Sequence, residues 1–124
     1  MDRKEKAVEY KHSGCNCCQA VLMAFADELN VSEDTLKQAG ACFGVGMGCM
    51  EATCGALCGA QMVLGMKKYE GRPMLGQAKE MHEAFKSLSG ATICGDLKGA
   101  KNGVVICSCD DCVRNGVTIA EKCL

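Results

Sequence analysis

The chain has 124 residues, enough for one domain with a core but little to spare. Its net charge of −1, with 14 basic and 15 acidic residues, is not the basic footprint of a nucleic-acid binder. Twelve cysteines and eight methionines, against three Phe, two Tyr and no Trp, make it sulfur-rich and aromatic-poor, with an aliphatic, thioether-padded core.

The charged start Met1–Lys6 has no apolar leader core, and no uncharged run approaches the roughly 18 residues a membrane span needs. The expectation is a cytoplasmic protein without membrane contact. Thiols stay reduced there, and clustered cysteines bind metal or do redox work rather than form a disulfide scaffold.

Residues 2–12 are charged and free of proline and glycine, which predicts a short exposed helix stopped at Gly14. A second helix follows Cys15, Cys17 and Cys18 and runs to about Leu29, with Cys18, Leu22, Phe25 and Leu29 as its apolar stripe. Ser32 caps a third, with Glu33 and Asp34 in its first turn. That helix fades at Ala41 into the glycine-rich loop Gly44–Gly48, and a fourth is expected from about Ala52 to Tyr69. Pro73 suits the first turn of a fifth helix, whose stripe is Met74, Ala78, Met81, Phe85 and Leu88 and whose end is Gly90. Residues 91–107 read as irregular, with a short extended piece at Val104–Ile106. Ser108 and Asp111 form a capping-box pattern that opens a last helix, with Val113, Val117, Ala120 and Leu124 facing inward. The fold class is therefore all-α: a compact bundle of five to six mostly antiparallel helices with a Gly/Cys-rich loop, one domain over residues 1–124.

The cysteines fall into groups: Cys15, Cys17 and Cys18; Cys49, Cys54 and Cys58; Cys94; and Cys107, Cys109 and Cys112. On helices, Cys54 and Cys58 share a face, as do Cys109 and Cys112. Cys17, Cys18 and Cys109 lie near predicted helix N-termini, where partial positive charge favours the thiolate. Thiolate is the soft ligand of iron–sulfur clusters, zinc and cuprous copper, and the groups are expected to converge on one sulfur-lined site. Cys42 and Cys123 read instead as small buried hydrophobes, and Met62 and Met66 as core packing. His12 and His82 are surface residues that form no H-x₃₋₅-H pair. Cys109-x-x-Cys112 fits a zinc knuckle or a redox disulfide as well as a cluster, and the ferredoxin run C-x₂-C-x₂-C is missing. Spacing alone thus leaves three readings open: iron–sulfur, zinc or another soft metal, and thiol–disulfide exchange.

Gly14-Cys15-Asn16-Cys17-Cys18-Gln19-Ala20-Val21 resembles the G-x-N-C-A-Q-A-V opening of the redox-active C_GCAxxG_C_C family. Phe43 to Gly48 and Thr53-Cys54-Gly55-Ala56-Leu57-Cys58-Gly59-Ala60 resemble its F-G-G-G-M-G and T-C-G-A-L-T-G-A segments. Phe85 with Cys94 and Leu97, and Cys109 with Val113, look like its remaining two motifs. The resemblance puts the family cysteines at Cys17, Cys54, Cys94 and Cys109. A related domain in split-Soret cytochromes carries an iron–sulfur centre, so the resemblance implies an iron–sulfur cofactor of unspecified type. The resulting expectation is electron transfer or small-molecule reduction in an anaerobe, with a redox partner protein or small substrate, and with a homodimer left open by the glycine-rich face. Cys15, Cys18, Cys49, Cys58, Cys107 and Cys112 depart from the family pattern and are additional candidate ligands for a larger or second cluster.

Overall fold

The structure is a computed structural model that describes residues 2–124. Seven α-helices account for the architecture: α1 (Arg3–His12), α2 (Cys17–Ala24), α3 (Glu33–Gly40), α4 (Gly55–Lys68), α5 (Leu75–Ser89), α6 (Cys94–Lys98) and α7 (Cys109–Cys123). A π-type turn at Gly46–Met50 lies between α3 and α4. Among the described residues no strand forms, and Thr53 and Ile93 make an isolated antiparallel bridge.

Helix α2 is the centre. Cys18, Ala20, Val21, Leu22, Met23 and Ala24 are all sealed from solvent, and α1, α3, α4 and α7 pack around them. A helix with one polar residue, Gln19, and buried apolar side chains on its other sides belongs in the middle of a bundle. Helix α4 bridges α2 to α7, and α5 packs outside α7 and α4. The closest crossings are made by glycine. A Cβ at Gly59 would lie 2.8 Å from the Cys18 carbonyl oxygen, and one at Gly116 would lie 2.7 Å from that of Ala56.

Helices α1 and α7 run antiparallel, as their pairings show: Arg3 meets Glu121, Glu5 meets Arg114, and His12 meets Asp110. Arg3 does more than the others. It donates to the Ala24 carbonyl and to Asp27, pairs with Glu28 at 3.1 Å, and lies 4.6 Å from the centroid of the Phe25 ring. Charge-assisted hydrogen bonds with a largely covered guanidinium are worth about 1.5–3 kcal/mol. Arg3→Ala is therefore expected to lower stability by about 2 kcal/mol in urea unfolding, and Arg114→Ala, whose partners face solvent, by much less.

Most helix ends follow the sequence reading. Gly14 and Gly90 adopt φ of 109° and 95°, and Ser32 and Ser108 accept hydrogen bonds from the Thr35 and Asp111 amides. Asp111 does not return the bond to Ser108 and binds Arg114 instead. The reciprocal capping box is at Asn16 and Gln19.

Several expectations need correction. Helix α2 ends at Ala24 rather than Leu29, where the chain breaks into turns that still bury Phe25 and Leu29. Helix α4 begins after Cys54 rather than at Ala52, because residues 52–54 are held by the bridge to the segment before α6. Pro73 precedes the cap residue Met74 and is outside α5. Leu88 is exposed, and Ser89 takes the inward position, accepting from Asn115. Residues 94–98 form α6, and Val104–Ile106 is an exposed loop without strand pairing. Cys42 is exposed rather than buried, and Cys123 is only partly covered.

A candidate thiol site at converging helix starts

Each of the four cysteines Cys17, Cys54, Cys94 and Cys109 stands at the start of a different helix. Cys17, Cys94 and Cys109 are the first residues of α2, α6 and α7, and Cys54 is the cap of α4. Backbone bonds bring these starts together. The Cys54 amide donates to Thr92 O at 2.7 Å, and the Cys94 amide donates to Ala52 O at 2.9 Å. These two bonds clip the segment ahead of α4 to the segment ahead of α6.

Glycine closes the remaining gaps. A Cβ at Gly55 would lie 2.6 Å from Phe43 O, 3.2 Å from Cys18 N and 3.4 Å from Cys17 Cβ, so α4 starts directly against the start of α2. A Cβ at Gly46 would lie 2.6 Å from Cys94 Cβ, which seats the glycine loop on α6. In that loop Val45, Met47 and Met50 have φ of 53°, 58° and 64°. A left-handed conformation costs a side-chain-bearing residue about 1–2 kcal/mol, and most of all a β-branched one. Strain of this kind clusters at ligand clamps and active sites.

The charges of these thiols influence one another. Burial pushes Cys17 up to about 12, with Cys54 and Cys109 adding to the effect. Burial likewise raises Cys94, reinforced by Cys54. Cys54 goes the other way, down to about 6. The neighbouring Cys112 thiol, the Ala56 and Leu57 amides and the Lys98 ammonium together outweigh its burial. Cys54 makes no regular side-chain cap bond, but the amides at the start of α4 favour its charged form. Cys112 is correspondingly pushed up as the proton donor of the pair.

Lys98 is the residue that the sequence reading missed. Its ammonium lies 3.2 Å from Cys112 Sγ and 3.2 Å from Cys107 O. Burial works against its charge, but Cys112, Cys109 and Cys54 more than compensate and raise its pKa. A lone lysine in a short helix has no local sequence signature. Only the fold reveals that it faces sulfur.

Lys98 thus touches Cys112 and lies within electrostatic reach of Cys17, Cys54, Cys94 and Cys109. Cys107 borders them through its carbonyl, and its sulfur accepts from Asn115 at 3.9 Å. Cys49 is exposed in the π-type turn, donates to Gly46 O and adds to the upward shift of Cys94. Cys18 and Cys58 face elsewhere: the Cys18 thiol donates to Met62 Sδ, and that of Cys58 to Thr53 O. Cys15 is held at the end of α1 by its amide bond to Tyr10 O. All twelve cysteines are free thiols. Among the described residues no three Cys, His, Asp or Glu side chains already form the shell of a single ion.

A pH dependence follows for the metal-free protein. The native pKa of Cys54, about 6, lies below the ordinary thiol value of 9.0, so the unfolded chain holds the extra proton between them. Stability should rise with pH across that interval and be lost as pH falls through about 6. Cys17 and Cys18 are shifted to about 12, so their contribution is present below 9.0 and is lost as pH rises from there toward about 12. Urea midpoints of the metal-free protein should thus climb from pH 6 to pH 9 and then fall. Lys98→Met should flatten the climb by removing a charge that favours the thiolate.

No helix among the described residues is long and apolar enough to cross a membrane. No curated protein and no solved structure matches the chain. A family model does, over residues 15–123, which takes in all four helix-start cysteines. The chain belongs to the family described as "Putative redox-active protein (C_GCAxxG_C_C)".

Proposed function

We propose that Cys17, Cys54, Cys94 and Cys109 bind an iron–sulfur cluster and that the protein transfers electrons to a partner protein or a small-molecule substrate. The observation that carries this reading is the meeting of four cysteines at four helix starts, one of them favouring the thiolate near neutral pH. The donor set fits such a group. Four thiolates are the usual ligation of both [2Fe–2S] and [4Fe–4S] clusters, and the positive ends of α2, α4 and α7 offset the negative charge of thiolates and sulfide. Cys112, Cys107 and Cys49 border the same place and are the additional ligands of a larger cluster, if one forms.

Bound there, the cluster supplies one-electron transfer. The chain's own residues set the conditions. Lys98 holds a positive charge beside the sulfurs, which favours the more negative, reduced state. Gly46 and Gly55 admit backbone where a side chain would occupy the space. The burial of Cys17, Cys54 and Cys94 limits water, and the exposed Cys49 marks the side nearest to solvent.

The test is iron and acid-labile sulfide analysis with a visible spectrum, on protein purified without oxygen. Iron with matching sulfide supports the reading, and more than about four irons per chain implicates the additional cysteines. Colourless protein with zinc, or with no metal, overturns it. Free-thiol counts before and after reduction would then separate a zinc site from cycling disulfides.

A further inference from the structure

We propose that Cys18, Cys58 and Met62 form a second, separate site for a soft monovalent cation, namely cuprous copper. The cluster reading uses none of these three residues.

Cys18 is fully buried at the crossing of α2 and α4, and the hydrogen bond made by its thiol goes to Met62 Sδ, 3.7 Å away, rather than to a carbonyl. Two sulfurs that share one ion, each about 2.3 Å from it, stand roughly 3.8–4.0 Å apart. The observed spacing is thus close to that of a bridged pair before any ion has entered. Cys58 precedes Met62 by one turn of α4, so the two side chains stack on one face. That face is pressed against α2 at Gly59, where an added Cβ would meet Cys18 O at 2.8 Å and Val21 Cβ at 3.1 Å. Without the ion, the Cys58 thiol makes a long bond of 4.0 Å to Thr53 O, which binding would replace.

The donor chemistry selects the ion. A thioether binds hard or borderline cations poorly, whereas two thiolates and a thioether suit the low-coordinate cuprous ion. Cys58 and Met62 are only partly buried, so an ion can enter from their side while Cys18 closes the far wall. A Cβ at Gly40 would lie 3.3 Å from Cys18 Sγ, so α3 also backs the site closely. Binding one cuprous ion to both cysteines releases two protons and leaves one net negative charge at the site.

The experiment uses the protein as isolated without oxygen. Cuprous ion is supplied as its acetonitrile complex and competed with a chromogenic cuprous chelator. Wild type is compared with Met62→Leu and Cys58→Ser, and helicity is checked by circular dichroism. Met62→Leu nearly conserves volume and is expected to fold. The wild type should retain one copper that Met62→Leu holds about tenfold or more weakly, by analogy with the scale of metal-partner losses. Cys58→Ser should lose it, with iron content equal in all three proteins. X-ray absorption should show only sulfur around that copper. Equal copper retention in wild type and Met62→Leu overturns the site, as does copper that enters only by displacing iron. If the protein contains no iron, the cluster reading fails by itself. The Met62 comparison still decides this proposal, because Cys17, Cys54, Cys94 and Cys109 are unchanged in it.

Discussion

Cys54→Ser protein purified without oxygen should retain its helices and lose its iron by about tenfold or more. The substitution separates folding from binding because of where Cys54 lies. It is the cap residue of α4, and serine is among the preferred caps. The helix start should therefore survive the substitution. A serine hydroxyl does not ionise near neutral pH and is a harder donor than a thiolate, so the metal loses a ligand that nothing nearby replaces in kind. Cys42→Ser is the control, since Cys42 is exposed and joins none of the hydrogen bonds at the site. Thermal unfolding and iron analysis on both proteins make the comparison. Iron retained by Cys54→Ser at the wild-type level would remove Cys54 from the ligand set and sink the cluster reading.

What the sequence made legible was local chemistry. Ser32 and Ser108 announce helix starts because a side-chain oxygen satisfies an amide three residues on. Gly14 and Gly90 announce ends because their positive φ suits glycine. Cys17, Cys54, Cys94 and Cys109 were singled out through their setting in family motifs rather than through spacing, and their common place at helix starts was not legible. Nor was what joins them. The clip between Ala52–Cys54 and Thr92–Cys94 pairs segments about forty residues apart, neither with strand-like alternation. Lys98 acts on Cys112 through a loop that brings α6 against the start of α7. Ser89 displaced Leu88 from the core because α5 buries Met81, Phe85 and Ser89 at steps of four, and the partner of Ser89, Asn115, is on another helix. Met62 looked like packing because a thioether is ordinarily just that, and only the fold sets it against Cys18.

Two glycine-to-alanine changes in the same helix should have opposite signs. Gly65 lies in the body of α4 with nothing within 4 Å of an added Cβ, so Gly65→Ala should stabilise the protein by about 0.5–1 kcal/mol through helix propensity alone. Gly55 is the first residue of the same helix, and alanine there gains the same propensity. Its Cβ, however, would meet Phe43 O at 2.6 Å and Cys18 N at 3.2 Å, backbone atoms that cannot swing aside as a side chain tip can. Overpacking of this kind costs about 1–3 kcal/mol, enough to outweigh the propensity. Relief comes by moving the start of α4 away from the loop or from α2, and movement away from α2 carries Cys54 from Cys17. Gly55→Ala should therefore lose bound iron as well as stability, whereas Gly65→Ala should keep its iron while melting higher. Urea unfolding and iron content of the two variants test both halves. Equal stability in both would show that the start of α4 has slack. Lower stability in Gly55→Ala with wild-type iron would show that the ligand geometry does not depend on that contact, because a rigid approach of Cys54 to Cys17 cannot be lost without cost to a group that both of them bind.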